Sequence, residues 1–454
     1  MGEESIREVT LGEVLDAREA RVRMQEALRE RFHCPVVSFT MNIAGPVKRT
    51  PLIERSFHRG VGRLLESLKE EKIPVLFSGE NIAVTGCEAL FALDAKPQRI
   101  KELCVAIEEE TPLGRLYDID VLDLSGEKLA RGQERCCLVC SKQGRECASR
   151  RLHSVAELQQ VTEKIQRTFW EREDRQRVGE LVTRALLREV HTTPKPGLVD
   201  ENNNGSHRDM DLSSFEKSAQ ALNSYWEEGF ALGIENREEE AAEAFALLRR
   251  AGQEAEGRMY EATGGVNTHK GAIFSLGILS MAAGRLYDAA CPVREAKLLT
   301  KEGAALCKRA VEEDFAKTRK RGPQTYGERL YLEEGRGGIR QEAYEGFPLL
   351  TEVALPRLKE GIEAGLSEND AGVRTLLYLI AQGKDTNLCA RGGVVRAGEV
   401  SRQVREMLEA EPYPPRGKVE ELDAAFIQEN LSPGGCADLL AAAWFLYDWE
   451  KEKV

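Results

Sequence analysis

The sequence has no excess of positive charge and no long hydrophobic run. Its 454 residues carry a formal net charge of −12, which disfavours nucleic acid as a partner but leaves room for a local basic pocket that binds phosphates. The apolar run at residues 439–447 is far too short to span a bilayer. The first residues contain no apolar core of the kind found in secretory signal peptides. We therefore expect neither nucleic acid nor a membrane as a partner.

The cysteine content also excludes a class of protein. The chain has 11 cysteines, an odd number, in a sequence without an export signal. Disulfides are rare in cytosolic proteins, so we expect reduced thiols and a cytoplasmic location rather than a secreted disulfide framework. No short-period repeat or low-complexity region is visible in the sequence. The length alone predicts two or three domains.

The first part of the chain mixes helix and strand signals. The runs CPVVSFTMNI and IPVLFSGENIAVTGCEALFAL predict strands, whereas LDAREARVRMQEALRERF and QRIKELCVAIEEE predict helices. After about His153 the strand signals stop. These patterns predict a multidomain chain, with an α+β domain over residues 1–168 and an all-α helical bundle over residues 169–454.

Two features of the predicted bundle can be read from local patterns. The runs GAIFSLGILSMAAG and GGCADLLAAAWFLY are rich in Gly and Ala, which suits helices that pack closely in the middle of a bundle. Ser213 and Glu216 have the spacing of a capping box at the start of the helix DLSSFEKSAQALNSYWEEGFAL.

Two carboxylates interrupt the apolar stretch GRLYDIDV. On a strand, residues i and i+2 point to the same face, so Asp118 and Asp120 should project side by side. Adjacent like charges suit a hard divalent cation such as Mg²⁺, although a solvated strand edge is the alternative. Arg115 adds a phosphate-binding group next to the pair. The stretch predicts a site for a phosphate ligand held by a metal ion.

A second unusual turn lies upstream, in TMNIAGPVKRT. Asn42 and Lys48 stand at either side of a compact turn that follows a predicted strand. A turn that only ends the strand is the alternative reading. Combined with the two acids, Lys48 or Arg49 becomes a candidate phosphate contact.

A cysteine-rich stretch, RCCLVCSKQGRECASRRLHS, follows the acid pair. It contains Cys137, Cys140, Cys147 and His153, whose spacing is broadly like that of structural zinc sites. Buried cysteines are often plain packing groups, and Cys136 leaves the choice of ligands open. A zinc site and a set of packed thiols are both compatible with this pattern.

A long polar loop, residues 192–211, lies between two predicted helices. Prolines stiffen its start, and loops of this length in a compact domain are uncommon and usually functional or disordered. A solvated connection is the alternative, because Asn, Asp and Gly are common turn residues. We favour a functional loop with the candidate residues Lys195, Asp200, Asn203, His207, Asp209 and Asp211.

Several glycine-flanked helix starts follow in the same half. Exposed N–H groups at helix starts bind anions, and a shared pocket for a polyphosphate would explain their number. None has the Walker A pattern. The candidate residues are Asn267 and Lys270 in GGVNTHKGA, Arg340 and Glu342 in GGIRQEAYEGFP, Asp385, Asn387 and Arg391 in DTNLCARGG, and Asp438 in SPGGCADLLA.

The N-terminal motifs resemble those of the apo-citrate lyase phosphoribosyl-dephospho-CoA transferases, also called holo-citrate lyase synthases. The resemblance covers roughly residues 5–160 and rests on NIAGPVK, GRLYDIDV and the cysteine-rich stretch, with Ala44 where the family usually has Pro. It implies a nucleotidyltransferase-like domain. A serine of the apo acyl carrier subunit of citrate lyase attacks the α-phosphorus of a triphosphoribosyl-dephospho-CoA, and pyrophosphate leaves. Asp118 and Asp120 would hold the Mg²⁺.

The C-terminal motifs PKPGLVD, GVNTHKG, GIRQEAYEGFP, DTNL, RGG and SPGGCADLL resemble, in this order, triphosphoribosyl-dephospho-CoA synthases over roughly residues 175–448. The resemblance implies that ATP and 3′-dephospho-CoA are substrates and that adenine leaves when the ribose 2′-hydroxyl attacks C1′. Such a reaction requires a carboxylate near the sugar and a proton for the base. The acids available for this role are Asp200, Asp209, Asp211, Glu342 and Asp385. The candidate triphosphate contacts are Lys195, Lys270 and Arg340, and the candidate proton donor is His269.

Together the two resemblances predict one bifunctional transferase that makes the citrate lyase prosthetic-group precursor and attaches it. One alternative is the parallel pathway of malonate decarboxylase, which uses the same precursor. The cysteine-rich tail of the first half favours citrate lyase. A non-catalytic factor that only binds the carrier protein is the other alternative, and the clustered acids argue against it.

Overall fold

The computed structural model, which describes residues 6–140 and 142–452, folds into two compact units. The N-terminal unit comprises residues up to 173 together with the short segment Asp288–Cys291, and the C-terminal unit comprises Asp174–Tyr287 and the chain from 292 onward. The first is mixed α/β and the second is helical, so this part of the predicted architecture is confirmed. No helix among the described residues combines the length and apolar character needed to cross a membrane.

The N-terminal unit is built on one four-stranded antiparallel sheet with the order β2-β3-β1-β4. Both strand-rich runs and both helical runs of the sequence adopt the predicted structure. The elements are α1 (Leu11–Phe32), β1 (Val36–Met41), α2 (Pro51–Glu70), β2 (Val75–Ala83), β3 (Gly86–Leu93), α3 (Pro97–Glu110), a 3-10 turn (Leu113–Leu116), β4 (Tyr117–Leu122) and α4 (Gly144–Ser149).

One face of this sheet is apolar and is covered by α2. Phe39 of β1 packs edge-on against Phe57 of α2, with ring centroids 5.6 Å apart. Gly60 permits this contact, because a Cβ atom there would lie 2.5 Å from the Phe39 ring and 2.7 Å from the Tyr117 ring. The Tyr117 hydroxyl also donates to the Ser56 carbonyl at 3.2 Å. Phe39 of β1 and Tyr117 of β4, both buried, therefore lie on this face.

The opposite face is divided along its length. At one end Val36, Leu90 and Leu122 form an apolar cluster with Leu28 of α1. At the other end Thr40 of β1 is paired with Asp118 of β4 on one side and with Glu88 of β3 on the other. The pairing register thus places polar side chains of three strands side by side.

The C-terminal unit consists of helices, and α5 (Val155–His191) contributes residues to both units. Its other elements are α6 (Leu212–Ala221), α7 (Asn223–Glu235), α8 (Ala241–Thr263), α9 (Lys270–Arg285), α10 (Ala296–Arg321), α11 (Tyr326–Glu334), α12 (Gly338–Tyr344), a π-helical turn (Leu349–Ala354), α13 (Leu355–Glu363), α14 (Glu368–Ala381), α15 (Thr386–Ala410), α16 (Arg416–Gln428) and α17 (Gly434–Lys451).

Close packing at the centre of this unit is confirmed. A Cβ atom on Gly233 of α7 would lie 2.2 Å from the Met281 carbonyl oxygen of α9, and one on Gly284 of α9 would lie 2.0 Å from the Phe230 carbonyl oxygen. The two backbones can approach this closely only because both positions are glycine. Helix α17 is buried along most of its length, as its Ala-rich sequence predicts.

The predicted capping box at Ser213 and Glu216 is wrong. Helix α6 begins two residues earlier than that pattern requires, with Asp211 as its N-cap. The Asp211 carboxylate accepts the Ser214 N–H at 2.8 Å and the Ser214 hydroxyl at 2.7 Å. Aspartate is as good an N-cap as serine, so the more N-terminal candidate competes successfully for the helix start.

Candidate active sites of the two units

A polar cavity of about 180 Å³ occupies the divided face of the N-terminal sheet. Helix α1 contributes Arg18 and Arg21 to the cavity wall, and the turn after β1 contributes the predicted residues Asn42 and Lys48. The polar residues around it are Arg18, Arg21, Thr40, Asn42, Lys48, Thr85, Glu88 and Asp118. The structure therefore joins Asn42, Lys48 and Asp118, which are far apart in sequence, in one site.

Asp118 and Asp120 point to the same side of β4, opposite the buried Tyr117, Ile119 and Val121, as predicted. The surrounding protein partly desolvates the Asp118 carboxyl, which raises its pKa, and the negative charge of Asp120 raises the pKa further. Within the described part of the chain, no hydrogen bond or ion pair to the Asp118 carboxylate is formed.

The two acids differ in their partners. Asp120 accepts a charged hydrogen bond from the Lys128 ammonium at 2.5 Å and lies outside the cavity wall. Asp118, by contrast, offers free carboxylate oxygens, which are the donors that a hard cation such as Mg²⁺ prefers. The residues present thus fit a magnesium ion at Asp118, and Asp120 would join it by releasing Lys128.

The predicted cations of this unit are not all in the cavity. Lys48 lines it, and its ammonium donates to the Ile43 carbonyl at 2.5 Å. Burial lowers the pKa of Lys48, and the positive charge of Arg18 lowers it further. Arg115 lies elsewhere: its guanidinium donates to the Cys136 carbonyl at 2.6 Å, so it contacts the cysteine-rich stretch instead of the cavity.

Three charged residues of the cavity were missed by the sequence analysis. The Glu88 carboxylate forms an ion pair with the Arg21 guanidinium at 2.7 Å, and Arg18 lies on the same side of α1 as Arg21. Glu88 is the polar position of an otherwise apolar strand, CEALFAL, which is a signal that could have identified it. The two arginines stand in a charge-rich helix where many positions look alike.

The cysteine-rich stretch brings its four candidate ligands together. One side-chain donor atom from each residue lies within 4.8 Å of the others. The residues are Cys137, Cys140, Cys147 and His153.

In the C-terminal unit the largest of the cavities that contain predicted residues has a volume of about 530 Å³. Its wall combines the loop of residues 192–211 with the starts of α9, α15 and α17. The polar wall residues are Glu189, Lys195, His207, Asp209, Asn267, Thr268, His269, Lys270, Thr386, Asn387, Arg391, Ser432 and Asp438. Nine of these are residues predicted above, so several of the separate motifs line one cavity.

Lys195 is held by a partner that the sequence analysis missed. It is only 1% exposed, and its ammonium contacts the Glu189 carboxylate at 2.5 Å and the Glu189 carbonyl at 2.9 Å. Burial raises the pKa of Glu189, whereas the positive charge of Lys195 lowers it. Such a pair is stable only because the two charges and their hydrogen bonds compensate one another in the interior.

His269 lies at the cavity wall and is 3% exposed. One ring nitrogen, Nδ1, forms a 2.7 Å hydrogen bond with the Ser218 hydroxyl, and the ring packs edge-on against Phe215. The other nitrogen, Nε2, has no partner within the described residues, and neither does the Thr268 hydroxyl beside it. Burial lowers the pKa of His269 to about 3, and Lys195 contributes in the same direction. His269 is therefore neutral at pH 7.

Asp438 rests on the start of α9. A Cβ atom on Gly271 would lie 1.9 Å from an oxygen of the Asp438 carboxylate. This contact explains why glycine follows Lys270 in the NTHKG motif. Desolvation raises the pKa of Asp438 well above its usual value, and the charges of Glu189 and Asp385 raise it further.

His207 and Arg391 form the opposite part of the wall. His207 is hydrogen-bonded to the Ser432 hydroxyl at 2.9 Å and to the Arg391 guanidinium at 3.1 Å. Burial lowers the pKa of His207, and Arg391 lowers it further. Arg391 also donates to the Ser206 carbonyl at 2.8 Å, so the guanidinium is fixed beside the cavity.

Three predicted residues line neighbouring cavities of the same unit. Glu342 and Asp385 line one of about 390 Å³, and Arg340 lines one of about 280 Å³ to which Lys270 also contributes. The Glu342 carboxylate accepts the Leu349 N–H at 2.5 Å, and burial raises the pKa of Glu342 to about 7.

Other predicted acids are occupied by the backbone. Asp200 accepts N–H groups of Lys195, Asn202 and Asn203 and lines none of these three cavities. The Asn203 side-chain amide donates to the Asp423 carboxylate at 2.9 Å. Asp385 caps α15 and also accepts the Cys436 N–H, and Asp211 caps α6. These contacts shape the loop and the helix starts that carry the cavity residues.

Comparison with known proteins identifies both halves. The family profile described as CitX, apo-citrate lyase phosphoribosyl-dephospho-CoA transferase, matches residues 9–169, and that described as CitG, ATP:dephospho-CoA triphosphoribosyl transferase, matches residues 175–454. A "Protein CitXG" of Haemophilus influenzae is 32% identical over 96% of this chain and 96% of its own length. The chain belongs to the CitXG family.

Other relatives are consistent with this membership. A Leuconostoc mesenteroides "Protein CitXG" is also 32% identical, over 96% of this chain and 97% of its own length. A Pectobacterium atrosepticum "2-(5''-triphosphoribosyl)-3'-dephosphocoenzyme-A synthase" is 40% identical over 61% of this chain and 90% of its own length. The predicted fusion, in this order, and the prediction of a bifunctional transferase for citrate lyase prosthetic-group synthesis are confirmed.

Proposed function

We propose that each CitXG half carries out its step at the cavity described in its own unit. Residues 169–454 would convert ATP and 3′-dephospho-CoA into 2′-(5″-triphosphoribosyl)-3′-dephospho-CoA and adenine. Residues 1–168 would transfer phosphoribosyl-dephospho-CoA to a serine of the apo acyl carrier subunit of citrate lyase, with release of pyrophosphate. The observation that carries the proposal is that motif residues distant in sequence converge on one charged cavity in each unit.

In the C-terminal unit, the cationic side chains suit the triphosphate of ATP. Lys195, Lys270 and Arg391 line the main cavity. Lys270 also lines the smaller cavity of Arg340, so a triphosphate that extends past Lys270 would meet both residues. Asp209, on the same wall, provides negative charge for the cationic character that develops on the ribose.

Departure of adenine requires a proton, because the base leaves with the electron pair of the broken C–N bond. We assign this proton to Asp438, which lines the cavity and whose pKa is raised well above its usual value by desolvation. His269 is neutral at pH 7, and its unpaired Nε2 therefore serves as a hydrogen-bonding contact to a nucleotide rather than as an acid.

The cavity of about 390 Å³ provides a place for the second nucleotide. It shares Ile339, Thr386 and Gly435 with the main cavity, so ligands in the two would be neighbours. Arg336 and Lys384 supply positive charge there, and Glu342, with its pKa raised to about 7, is the residue best suited to accept the proton of the attacking 2′-hydroxyl.

For the N-terminal unit we propose a nucleotidyltransferase-like arrangement. Asp118, together with Asp120, would hold Mg²⁺, which when bound supplies positive charge to the leaving pyrophosphate. Lys48 and Arg18 would orient the phosphates of the incoming substrate, since both line the cavity of Asp118. Glu88, on β3, is a third carboxylate at this cavity, and the positive charge of Arg21 balances its negative charge.

The two activities can be tested separately on the purified full chain. Incubation with ATP, Mg²⁺ and 3′-dephospho-CoA should release adenine, measured by chromatography. Addition of the apo acyl carrier subunit should then produce a mass increase of one phosphoribosyl-dephospho-CoA on its serine. A chain that binds the carrier but produces neither adenine nor modified carrier would contradict the proposal and would favour an assembly factor.

The carrier specificity needs a direct comparison. The apo carrier subunits of citrate lyase and of malonate decarboxylase are offered at equal concentration with preformed triphosphoribosyl-dephospho-CoA. We expect faster modification of the citrate lyase carrier, because the matched N-terminal profile is that of the citrate lyase transferases.

A further inference from the structure

The segment between β4 and α5 folds without a hydrophobic core of its own. Among its described residues from 123 to 154, Cys147 alone is buried. Protein segments that cannot bury enough apolar surface are usually held by disulfides or by a metal ion. All the cysteines of the chain are free thiols, so a disulfide does not hold this segment.

The donor atoms of Cys137, Cys140, Cys147 and His153 lie close together. Each is within 4.8 Å of the others, the Cys140 and Cys147 sulfurs are 3.3 Å apart, and Nε2 of His153 is 3.2 Å from the Cys140 sulfur. In a tetrahedral zinc site, with Zn–S of about 2.3 Å and Zn–N of about 2.0 Å, neighbouring donors are roughly 3.5–3.8 Å apart. The four atoms therefore have nearly the spacing of such a site.

Backbone hydrogen bonds fix these side chains in place. Cys137 N–H donates to the Lys142 carbonyl at 2.6 Å and Gly144 N–H to the Arg135 carbonyl at 3.0 Å, which closes a tight turn. Val139 N–H points at the Cys137 sulfur at 3.5 Å. The turn presents two cysteines, α4 presents Cys147, and His153 lies two residues before the start of α5.

We propose that Cys137, Cys140, Cys147 and His153 bind one Zn²⁺ in a structural site that fastens this segment to the strand bearing Asp118. Binding would convert the three thiols to thiolates and release their protons to solvent. Neither family description assigns a metal to these residues. Three sulfurs and one imidazole form a closed tetrahedral set with no open position, which is typical of structural rather than catalytic zinc.

The fastening runs through Arg135. Its guanidinium donates to the Tyr117 carbonyl at 2.7 Å and lies 2.6 Å from the Glu108 carboxylate. Glu108 in turn accepts the Ile119 N–H at 2.9 Å. Tyr117 and Ile119 stand on either side of Asp118, so a change in the zinc-bound segment would move this carboxylate.

Metal content is the first test, and it is independent of either activity. The full chain purified without chelators should contain about one zinc per chain by elemental mass spectrometry, an expectation from the single four-donor set. Cys147→Ser should lose the zinc, whereas Cys136→Ser, a change at an exposed cysteine outside the set, should keep it. Substoichiometric metal in the wild type, iron in place of zinc, or retention of zinc by Cys147→Ser would overturn the proposal.

Cobalt substitution of the wild-type chain avoids any folding defect of a variant. Removal of zinc with a chelator and addition of Co²⁺ should produce sulfur-to-cobalt charge-transfer bands and the visible bands of a tetrahedral site. A spectrum of octahedral Co²⁺, or no binding, would contradict the assigned ligands.

The positioning role rests on the transferase function proposed above and has its own readout. With preformed triphosphoribosyl-dephospho-CoA, zinc-free protein should modify the acyl carrier at least about 10-fold more slowly, and zinc should restore the rate. Adenine release from ATP and 3′-dephospho-CoA should stay unchanged and reports on the synthase proposal alone. Unchanged carrier modification, or equal loss of both activities, would contradict the link between the zinc site and Asp118.

Discussion

The two units of the CitXG chain position acidic groups in different ways. In the N-terminal unit, Asp118 comes from the edge strand β4, whose backbone pairs with β1, and its carboxylate stays free. In the C-terminal unit, Asp211 and Asp385 precede helices and bind the N–H groups of the first turn. A helix start has unpaired N–H groups and a strand interior does not. An aspartate on an open strand face is therefore a better guide to a ligand site than one before a helix.

Asp118→Asn should have the largest effect of the changes that test this comparison. Loss of the free carboxylate should slow carrier modification about 1000-fold, which corresponds to about 4 kcal/mol of transition-state stabilisation. Adenine release should not change. The measurement is mass spectrometry of the carrier supplied with preformed triphosphoribosyl-dephospho-CoA. The control is Asp123→Asn in the exposed turn after β4, and equal rates in the two variants would disprove the role of Asp118.

Asp438→Asn tests an acid of the helical unit that lies against the start of α9 but does not precede that helix. The amide cannot protonate the departing base, so adenine release should fall about 100-fold. Carrier modification from preformed substrate should remain at the wild-type rate. Chromatographic measurement of adenine decides the outcome, and wild-type release by Asp438→Asn would transfer the acid role to another residue.

His269 makes the stability of the helical unit depend on pH. Its pKa is about 3 in the folded chain and about 6.5 when unfolded, so the unfolded state binds the extra proton as the pH falls below 6.5. The stability that neutral His269 contributes is therefore complete above pH 6.5 and is lost on acidification toward pH 3. At pH 5 the loss should be roughly 2 kcal/mol.

His269→Asn should remove this part of the pH dependence, measured by denaturant unfolding of the full chain at pH 7 and pH 5. His33→Asn is the control, because His33 belongs to the N-terminal unit and should leave the C-terminal transition unchanged. An unaltered pH slope in His269→Asn would show that this residue does not titrate as described.

Asp211→Ala should have the smallest effect and sharpens the distinction between caps and ligands. Removing the N-cap of α6 should reduce the free energy of unfolding by about 1 kcal/mol, read from chemical denaturation. Adenine release below the unfolding transition should match that of the wild type. A loss of activity similar to that of Asp438→Asn would place Asp211 in the reaction.

Much of the architecture could be predicted from local patterns. The strand and helix periods located β1 to β4 and the helices α1, α3, α9 and α17, and the period of two predicted the common side of Asp118 and Asp120. That Lys195, His207 and Arg391 lie at one cavity could be predicted only from the expectation that their separate motifs serve one function. Neither the periodicity nor the spacing of residues in the sequence gives the distances between these side chains.

What could not be predicted depends on long-range pairing. Glu88 faces the N-terminal cavity because β3 pairs with β1 in one particular register, and Glu189 meets Lys195 because the loop folds back onto α5. The roles of Asp200 and Asp385 were equally hidden, since an aspartate has the same sequence signature whether its oxygens face a ligand or backbone N–H groups. Only the folded chain distinguishes the two.

Gly60 shows that control over the N-terminal site does not require a functional group. It has no side chain and stands on the side of the sheet away from Asp118, yet it sets how near α2 lies to Phe39 and Tyr117. A methyl group at this position would push against the Phe39 and Tyr117 rings and shift β4, which would change the direction in which the Asp118 carboxylate points. A screen for inactive variants should therefore recover substitutions at this glycine along with those at charged positions.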